Sequence, residues 1–355
     1  MAEALRLAER GLHSTSPNPR VGCVIVRDGE RVGKGWHERA GEAHAEVHAL
    51  RAAGARAAGA TAYVSLEPCA HHGRTPPCTD ALIAAGVRRV VAAMQDPNPA
   101  VSGRGLAQLA EAGIETACGL LGEAALALNC GFVSRMQRGR PWLRVKLATS
   151  LDGRTALSNG TSQWITGAAA RADGHRWRAR SCAVLTGIGT LLADDPQLTV
   201  RAIRTDRQPI RVVIDSQLRT PLGARVLEGG RTLIYCADAS PERTAALQAR
   251  GATVLSLPDE SGQQVDLWAM LRSLADQGVN EILSEAGATL NGALVASGCA
   301  DELLVYLAPR MLGHLARSGL ELPDYESLEA PPRWTMADVR QLGDDLRVIL
   351  RPASA

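Results

Sequence analysis

Short runs of apolar and β-branched residues alternate with helix-periodic segments over roughly the first 140 residues. The strand-like runs cover residues 21–26, 62–65 and 89–93. Apolar positions recur at helical spacing over residues 43–53, 79–85, 105–112 and 122–137. Strands separated by helices of this kind are typical of a layered α/β fold.

A second alternation begins after Arg138-Gly139-Arg140-Pro141, a charged break with Gly and Pro of the sort that separates domains. The predicted strands are 142–148, 183–186, 210–214, 232–235, 253–257, 281–284 and 302–308. The predicted helices are 168–179, 241–249, 267–275 and 289–296, and the Pro-rich stretch 323–332 predicts a surface loop. We therefore predict two α/β domains, residues 1–139 and 140–355.

The composition is that of a folded globular protein without a general attraction for polyanions. Of 355 residues, 46% are hydrophobic and 21% are charged, close to ordinary globular usage. The 39 basic and 37 acidic side chains leave a net charge of +2, so we expect no binding to nucleic acid or to an anionic membrane. Any acidic ligand must be met by local positive charge.

The patterning argues against export and membrane insertion. The longest stretch without Asp, Glu, Lys or Arg is 155–170, sixteen residues, shorter than the roughly 18 residues of a membrane span. Acidic Glu3 and Glu9 stand where a secretory signal needs a basic start and an apolar stretch. Eight cysteines are too sparse for a disulfide scaffold, and six of them occur singly in apolar surroundings. We expect a cytoplasmic protein without a transmembrane helix.

Two short segments bring together residue types that bind zinc. His44-Ala45-Glu46 starts a helical pattern, and Cys69 and Cys78 follow it. One imidazole and two thiolates occupy three positions of a tetrahedral site and leave the fourth for water, as catalytic zinc requires. Because zinc lowers the pKa of bound water towards about 7, a proton carrier is needed, and Glu46 is placed for it. H-x-E followed by P-C and a second Cys is the pattern of zinc-dependent nucleobase deaminases.

Two alternatives stay open on the residues alone. His44 and His48 are i and i+4 on the predicted helix, so a closed structural site could use both with Cys69 and Cys78. The residues could also be unrelated, since a His, a Glu and two Cys can occur by chance among 355 residues. The spacing departs from P-C-x-x-C, because eight residues and not two lie between the cysteines, but a loop of this length can still close a site. A metalloprotease is excluded, because H-E-x-x-H places Glu directly after the first His.

The first half resembles the deaminase half of the bifunctional riboflavin-biosynthesis deaminase/reductase family, in segments 17–24, 44–50 and 67–78. The long spacing between the two cysteines is that family's own pattern. The resemblance implies a cytidine-deaminase-like α/β/α sandwich with Glu46 as proton shuttle and Zn²⁺ on His44, Cys69 and Cys78. It also implies that Asn18 contacts the ribosyl part of the substrate and that Arg74 lies near its phosphate, which a guanidinium binds through two parallel hydrogen bonds.

Two strand–glycine–helix turns stand out in the second half, at residues 186–190 and 285–293. The first has Leu192 at the third glycine position of G-x-G-x-x-G, and the second lacks Gly-Lys-Ser/Thr. Neither turn identifies a nucleotide site by itself. The second half is nevertheless similar to the reductase half of the same family, in segments 145–154, 162–166, 192–201, 213–216 and 285–287.

This second resemblance implies a dihydrofolate-reductase-like α/β domain that uses NADPH. The positions that match cofactor contacts are Thr149, Trp164, Thr190, Asp194, Ser216, Gly287, Ala288, Thr289, Leu290, Asn291, Gly292 and Ala293. The positions that match substrate contacts are Ser162, Arg178, Leu198, Arg201 and Glu285. Arg176 and Arg178 are both candidates for the substrate phosphate.

The resemblance implies a bifunctional enzyme that acts on a phosphoribosylated pyrimidine. Zinc-dependent hydrolysis would deaminate 2,5-diamino-6-(5-phosphoribosylamino)pyrimidin-4(3H)-one, and NADPH would then reduce the ribosyl chain to give 5-amino-6-(5-phosphoribitylamino)uracil. We expect a homo-oligomer, most simply a dimer. One alternative is a deaminase acting on a polynucleotide such as tRNA, although aromatic residues for base stacking make up only 3% of the chain. Another is a zinc-stapled module that senses a nucleotide.

Overall fold

The chain of the computed structural model divides into two compact units, Met1–Arg140 and Pro141–Ala355. The structure describes residues 1–71, 76–99, 101–205 and 207–353. Within these ranges, none of the helices has both the length and the apolar character needed to cross a bilayer.

The first unit is built on a five-stranded mixed sheet. Its strands are β1 (Gly22–Arg27), β2 (Glu30–Trp36), β3 (Thr61–Val64), β4 (Arg89–Ala92) and β5 (Glu115–Cys118). Their order is β2-β1-β3-β4-β5, with β1 antiparallel to β2 and β3, and the other pairs parallel. The helices are α1 (Ala2–Ala8), α2 (Ala45–Ala53), α3 (Cys78–Ala84), α4 (Arg104–Glu111), α5 (Gly122–Leu128) and α6 (Cys130–Arg138).

Helices cover both faces of this sheet. Side chains alternate along a strand, so Cys23 and Ile25 of β1 join a core formed with α2, α3 and α4. Val24 points to the other face and packs with α1, while Ala93 packs with α1 and α5. The expected α/β/α sandwich is confirmed.

Strands β2 and β5 were not predicted, and the helix predicted over 122–137 is interrupted. Strand β2 was not anticipated because Gly33 and Gly35 interrupt its pattern, yet both are needed: a Cβ at either position would collide with the backbone of α2. The predicted helix over 122–137 is instead two helices that break at Asn129. The Asn129 side chain accepts a hydrogen bond from the Arg20 N–H (2.8 Å) and donates one to the Arg20 carbonyl (2.9 Å).

The second unit is built on a nine-stranded sheet. The strands of this unit are β6 (Trp142–Ser150), β7 (Arg154–Ala156), β8 (Ala183–Gly187), β9 (Ile210–Ile214), β10 (Thr232–Cys236), β11 (Ala252–Ser256), β12 (Glu281–Ser284), β13 (Glu302–Ala308), β14 (Arg317–Ser318), β15 (Trp334–Leu342) and β16 (Asp345–Pro352). The order in the large sheet is β11-β10-β9-β8-β12-β6-β13-β16-β15. The pairs from β11 to β13 are parallel, and β13, β16 and β15 pair antiparallel.

Five helices flank this sheet, namely α7 (Ala168–Arg180), α8 (Ile188–Asp194), α9 (Pro241–Ala249), α10 (Leu267–Asp276) and α11 (Ala288–Ala296). Helices α10 and α11 pack on one face, and α7, α8 and α9 pack on the other. The expected α/β class is confirmed. The β15–β16 hairpin was missed because β16 buries a charged side chain within its apolar run: Arg347 is ion-paired with Asp173 (3.1 Å) and Asp338 (2.7 Å).

Candidate active sites

The three predicted metal ligands come together in the first unit. His44 caps the N-terminus of α2, Cys78 is the first residue of α3, and Cys69 lies in the loop after β3. His44 Nδ1 lies 3.2 Å from Cys78 Sγ and 3.6 Å from Cys69 Sγ. Zinc bonds of about 2.0 Å to nitrogen and about 2.3 Å to sulfur place tetrahedral donors about 3.6 to 3.8 Å apart. The donor set therefore fits zinc.

Local hydrogen bonds hold Cys69 in place. The backbone N–H of Cys78 donates to Cys69 Sγ (3.4 Å), and the Thr79 N–H donates to the Cys69 carbonyl (3.2 Å). Hydrogen bonds from Cys78 and His44 outweigh burial and lower the pKa of the Cys69 thiol to about 4. A thiolate is the form that binds a metal.

The closed four-ligand alternative does not match the structure. Over the described ranges, His44, Cys69 and Cys78 form a three-residue donor group without His48. The His48 side chain instead lies against β2 where Gly35 leaves room, since a Cβ on Gly35 would be 2.5 Å from the His48 Cβ. A three-residue group leaves a coordination position for a reacting molecule.

Glu46 lies next to this group in the first turn of α2. Its side chain is buried, at 3% relative exposure, and Oε2 has no hydrogen-bond partner among the described residues. Burial and the nearby Cys69 raise the pKa of Glu46 to about 7. A carboxyl group with this pKa can both take and give a proton near neutral pH.

Asn18 is held by a residue that the sequence analysis missed. Asn18 Nδ2 lies 3.1 Å from His37 Nε2, and His37 Nδ1 lies 3.2 Å from the Ala43 carbonyl oxygen. Because a carbonyl can only accept, His37 is protonated at Nδ1 and accepts from the Asn18 amide at Nε2. The His37 and His44 ring centroids are 5.2 Å apart, so Asn18 lies on the edge of the metal site. Arg74 lies outside the described residues.

The loop that carries Cys69 is braced by buried Glu67. This carboxylate accepts hydrogen bonds from the backbone N–H groups of Asp96, Gly103, Gly105 and Leu106, at 2.9 to 3.2 Å. Two of these groups belong to the first turn of α4, where a negative charge is stabilised by the helix dipole. Gly105 packs so closely that a Cβ there would collide with the Pro68 carbonyl oxygen.

We expect Gly105→Ala to weaken zinc binding by about 10- to 100-fold, as substitutions that disturb the support of a metal ligand do. The added methyl group must push Pro68, and with it Cys69, away from the other donors. Competition with a chromophoric chelator measures the affinity. Ala107→Ser, on the exposed side of the same helix, is the control and should bind as the unmodified protein does. A folded Gly105→Ala protein with unchanged zinc affinity would show that the brace has no such role.

The second unit contains a cavity of about 1480 Å³ at the carboxyl ends of its parallel strands. This is where open α/β sheets bind ligands. The predicted cofactor and substrate residues that line it are Ser162, Trp164, Arg178, Thr190, Asp194, Leu198, Arg201, Ser216, Glu285, Gly287, Ala288, Thr289, Leu290 and Ala293. Gly287 caps the N-terminus of α11, so backbone N–H groups of that turn are available to a phosphate.

Three predicted cofactor residues do not line the cavity. Thr149 is buried in β6 at 4% relative exposure. Asn291 is held within the protein, because its side chain accepts from Ser284 Oγ (2.7 Å) and donates to the Ala286 carbonyl (2.8 Å). Gly292 is a close-packing position, since a Cβ there would collide with the backbone of Glu321.

The cavity has a strongly charged wall. Arg178 makes a two-pronged ion pair with Glu285, through Nε to Oε1 and through Nη2 to Oε2 (2.7 Å). Burial opposes ionisation of Glu285, but Arg178 and Lys146 outweigh it and lower its pKa to about 2. Lys146 also lines the cavity and was not singled out from the sequence, although it lies in a family-like segment. Arg176 is 66% exposed and does not line the cavity, so the structure favours Arg178 over Arg176.

Comparisons with known proteins cover both units. The family described as "Cytidine and deoxycytidylate deaminase zinc-binding region" matches residues 1–94, and that described as "RibD C-terminal domain" matches residues 141–348. The chain is 52% identical over 359 residues to "Riboflavin biosynthesis protein RibD" of Escherichia coli, covering 98% of this chain and 96% of the relative.

Solved structures agree over the full length. RibD of Acinetobacter baumannii, form 1, is 46% identical with a TM-score of 0.92, covering 99% of this chain and 98% of that one. A Thermotoga maritima structure named as a diaminohydroxyphosphoribosylaminopyrimidine deaminase/5-amino-6-(5-phosphoribosylamino)uracil reductase is 33% identical with a TM-score of 0.87, covering 99% and 97%. The chain therefore belongs to the RibD family of riboflavin biosynthesis proteins.

Proposed function

We propose that residues 1–139 deaminate 2,5-diamino-6-(5-phosphoribosylamino)pyrimidin-4(3H)-one and that residues 140–355 then reduce the ribosyl chain of the product with NADPH. The protein is a bifunctional enzyme of riboflavin biosynthesis that uses Zn²⁺ and NADPH. The observation that carries the proposal for the first unit is the three-residue donor group beside buried Glu46. A deaminase acting on a polynucleotide is not favoured, because the relatives match the whole chain, including the reductase unit.

In the first unit, His44, Cys69 and Cys78 would hold zinc, which when bound makes water a stronger acid and so a better nucleophile near neutral pH. Glu46 takes a proton from the attacking water and gives it to the departing amine, so that a C–O bond forms, the C–N bond breaks and ammonia leaves. Its buried carboxylate, with a pKa of about 7, is suited to both transfers. Asn18, oriented by His37, would donate to or accept from the ribosyl part of the substrate.

In the second unit, NADPH when bound supplies the hydride that converts ribosyl to ribityl. The protein's contribution is to align the cofactor with the substrate. The turn at Gly287 and the Thr190 hydroxyl would hold the pyrophosphate, with Trp164, Asp194 and Ser216 along the rest of the cofactor. Arg178 and Arg201 would bind the substrate phosphate, and Glu285 keeps Arg178 charged and in place. Ser162 and Leu198 would complete the substrate side of the cavity.

Removing the metal tests the two halves separately. After dialysis against a chelator, we expect ammonia release to stop, while NADPH oxidation on previously deaminated substrate continues, because the metal donor group found among the described residues lies in the first unit. Ammonia detection and absorbance at the nicotinamide band follow the two reactions, and zinc should restore the first. Chelated protein that unfolds would favour the zinc-stapled module, and continued deamination would refute the zinc role.

We also propose a cytoplasmic homodimer. The edge hairpin β15–β16 exposes apolar side chains, with Met336 at 74%, Val339 at 52% and Leu346 at 41%, which supports association through this edge. Sedimentation equilibrium measures the assembly.

A further inference from the structure

The loop 157–167 joins β7 to α7 and forms part of the wall of the large cavity. It begins with a closed turn, in which the Leu157 N–H donates to the Thr161 carbonyl (2.9 Å). It ends where the Gly167 N–H donates to the buried carboxylate of Asp345 (2.7 Å). The loop is therefore tied by hydrogen bonds at both ends, and the part between them carries residues that line the cavity.

The indole of Trp164 lies in this middle part. It lines the cavity, and 61% of the residue is exposed. A loose side chain of this size loses rotamer and loop freedom when a ligand packs against it, and this loss of entropy weakens binding. A contact that orders the indole before the ligand arrives removes that cost.

Arg171 makes such a contact. Its Cζ lies over the Trp164 ring, 4.6 Å from the ring centroid, which is within the distance at which a guanidinium is attracted to the face of an indole. The same guanidinium donates from Nη1 to the Thr166 carbonyl (2.6 Å). Over the described ranges Arg171 makes no ion pair. Arg310 holds the backbone of the same residue, because its Nη1 donates to the Trp164 carbonyl (3.2 Å).

Arg171 can serve as a fixed support because it belongs to a well-packed helix. It lies near the N-terminus of α7, next to Ala170. Ala170 is buried at 2% relative exposure, in a core cluster that it shares with Leu283 and Tyr306. Side chains carried by helices are positioned more precisely than those carried by loops. The helix therefore supplies the rigid partner, and the indole of Trp164 is the group that it orders.

We propose that Arg171 is a positioning residue for Trp164 and sets the indole in the orientation that bound NADPH requires. The inference rests on the proposed cofactor role of Trp164. Arg171 also lines the cavity, so the competing interpretation is a direct contact between its guanidinium and a ligand. The two interpretations differ in one respect, because a residue that acts through Trp164 has no effect on binding once the indole is removed.

A double-mutant cycle on the full chain separates them, with NADP⁺ affinity measured by calorimetric titration. For Arg171→Met, we expect the affinity to fall by about 3- to 30-fold, the range that a cation–π contact supports. Arg171→Lys keeps the positive charge without the planar guanidinium and should recover part of the loss. In the Trp164→Ala background, Arg171→Met should change the affinity by less than about twofold. The KM for NADPH should follow the affinity, with kcat at saturation retained.

Tryptophan fluorescence gives a second readout without any ligand. The chain has six tryptophans, so the contribution of Trp164 is taken as the difference between each protein and its Trp164→Phe counterpart. Arg171→Met should make this contribution more accessible to quenching by acrylamide, because the guanidinium no longer covers one face of the ring. Unchanged quenching would contradict the proposal. Arg176→Met, exposed on the same helix and outside the cavity, is the control and should change neither the affinity nor the quenching.

Failure of the proposal and failure of the proposed cofactor site give different results. If Arg171→Met lowers NADP⁺ affinity equally with and without the indole, Arg171 contacts the ligand directly, and the proposal is overturned while the cofactor site stands. Unchanged affinity in Trp164→Ala would show that the indole does not contact the cofactor, and would overturn the roles of both residues. If the unmodified protein does not bind NADP⁺, the proposed cofactor site itself is wrong, and the proposal fails with it.

Discussion

In Glu46→Gln, ammonia release should fall by about 10²- to 10⁴-fold, the contribution typical of a positioned general acid–base. Glutamine keeps the size and burial of the side chain but cannot carry a proton between water and the departing amine. NADPH oxidation on previously deaminated substrate should continue at the unmodified rate, because Glu46 lies in the first unit and the cavity in the second. Parallel ammonia and absorbance assays measure both.

Two comparisons separate chemistry from structure in this variant. Glu42→Gln changes an exposed carboxylate shortly before α2 and should leave both reactions intact. Zinc content should also stay at the unmodified level in Glu46→Gln, since the donor group does not include Glu46. Loss of both reactions in a folded Glu46→Gln protein would contradict separate active sites.

A second large effect is expected from Arg178→Met. The substitution removes the proposed phosphate contact and leaves the Glu285 carboxylate buried without its ion-pair partner. We expect reductase kcat/KM to fall at least about 100-fold, and the unfolding free energy of the second unit to fall by about 3 to 5 kcal/mol. Arg176→Met is the matched control two residues away, and its exposed side chain should leave both quantities nearly unchanged. Equal effects of the two substitutions would remove the special role of Arg178.

The same ion pair gives a pH dependence of stability. The pKa of Glu285 is lowered to about 2 in the folded protein, from an ordinary value of 4.5. Its contribution to stability is therefore fully present above about pH 4.5 and is lost as the pH falls towards 2. Denaturant unfolding between pH 6 and pH 3 measures the free energy of unfolding against pH. This free energy should change less with pH in Glu285→Gln than in the unmodified protein.

The chemistry of the candidate sites could be predicted from the sequence better than the residues that hold the reactive groups in place. The α/β class, zinc, NADPH and both activities are confirmed. Zinc could be predicted from residue types that its chemistry dictates, whereas NADPH and the reductase activity were implied by the family resemblance. The roles of the individual residues stay predictions. His37 was missed because a single histidine seven positions before His44 has no pattern of its own, and its use depends on the Ala43 carbonyl and Asn18 meeting it in space.

In the reductase unit, the position of a residue within a motif predicts its role less reliably than its contacts in the folded protein do. Asn291 and Gly292 lie within a turn that otherwise lines the cavity, yet helical geometry directs one inward to Ser284 and packs the other against Glu321. Strand β2 and the break at Asn129 were likewise set by contacts with distant segments. Such contacts are invisible to periodicity, which records only neighbours along the chain.

The hydrogen bonds between Asn129 and Arg20 limit how far the deaminase unit can be shortened. The family-matched zinc-binding region ends at residue 94, and a gene fragment cut there would encode every metal donor. It would lack the Asn129 side chain, which hydrogen-bonds to the backbone of Arg20 shortly before β1. It would also lack the Leu128 carbonyl oxygen, which accepts a hydrogen bond of 2.7 Å from the Arg20 guanidinium. A deaminase unit expressed by itself must therefore extend past Asn129, although the added residues contribute none of its reactive groups.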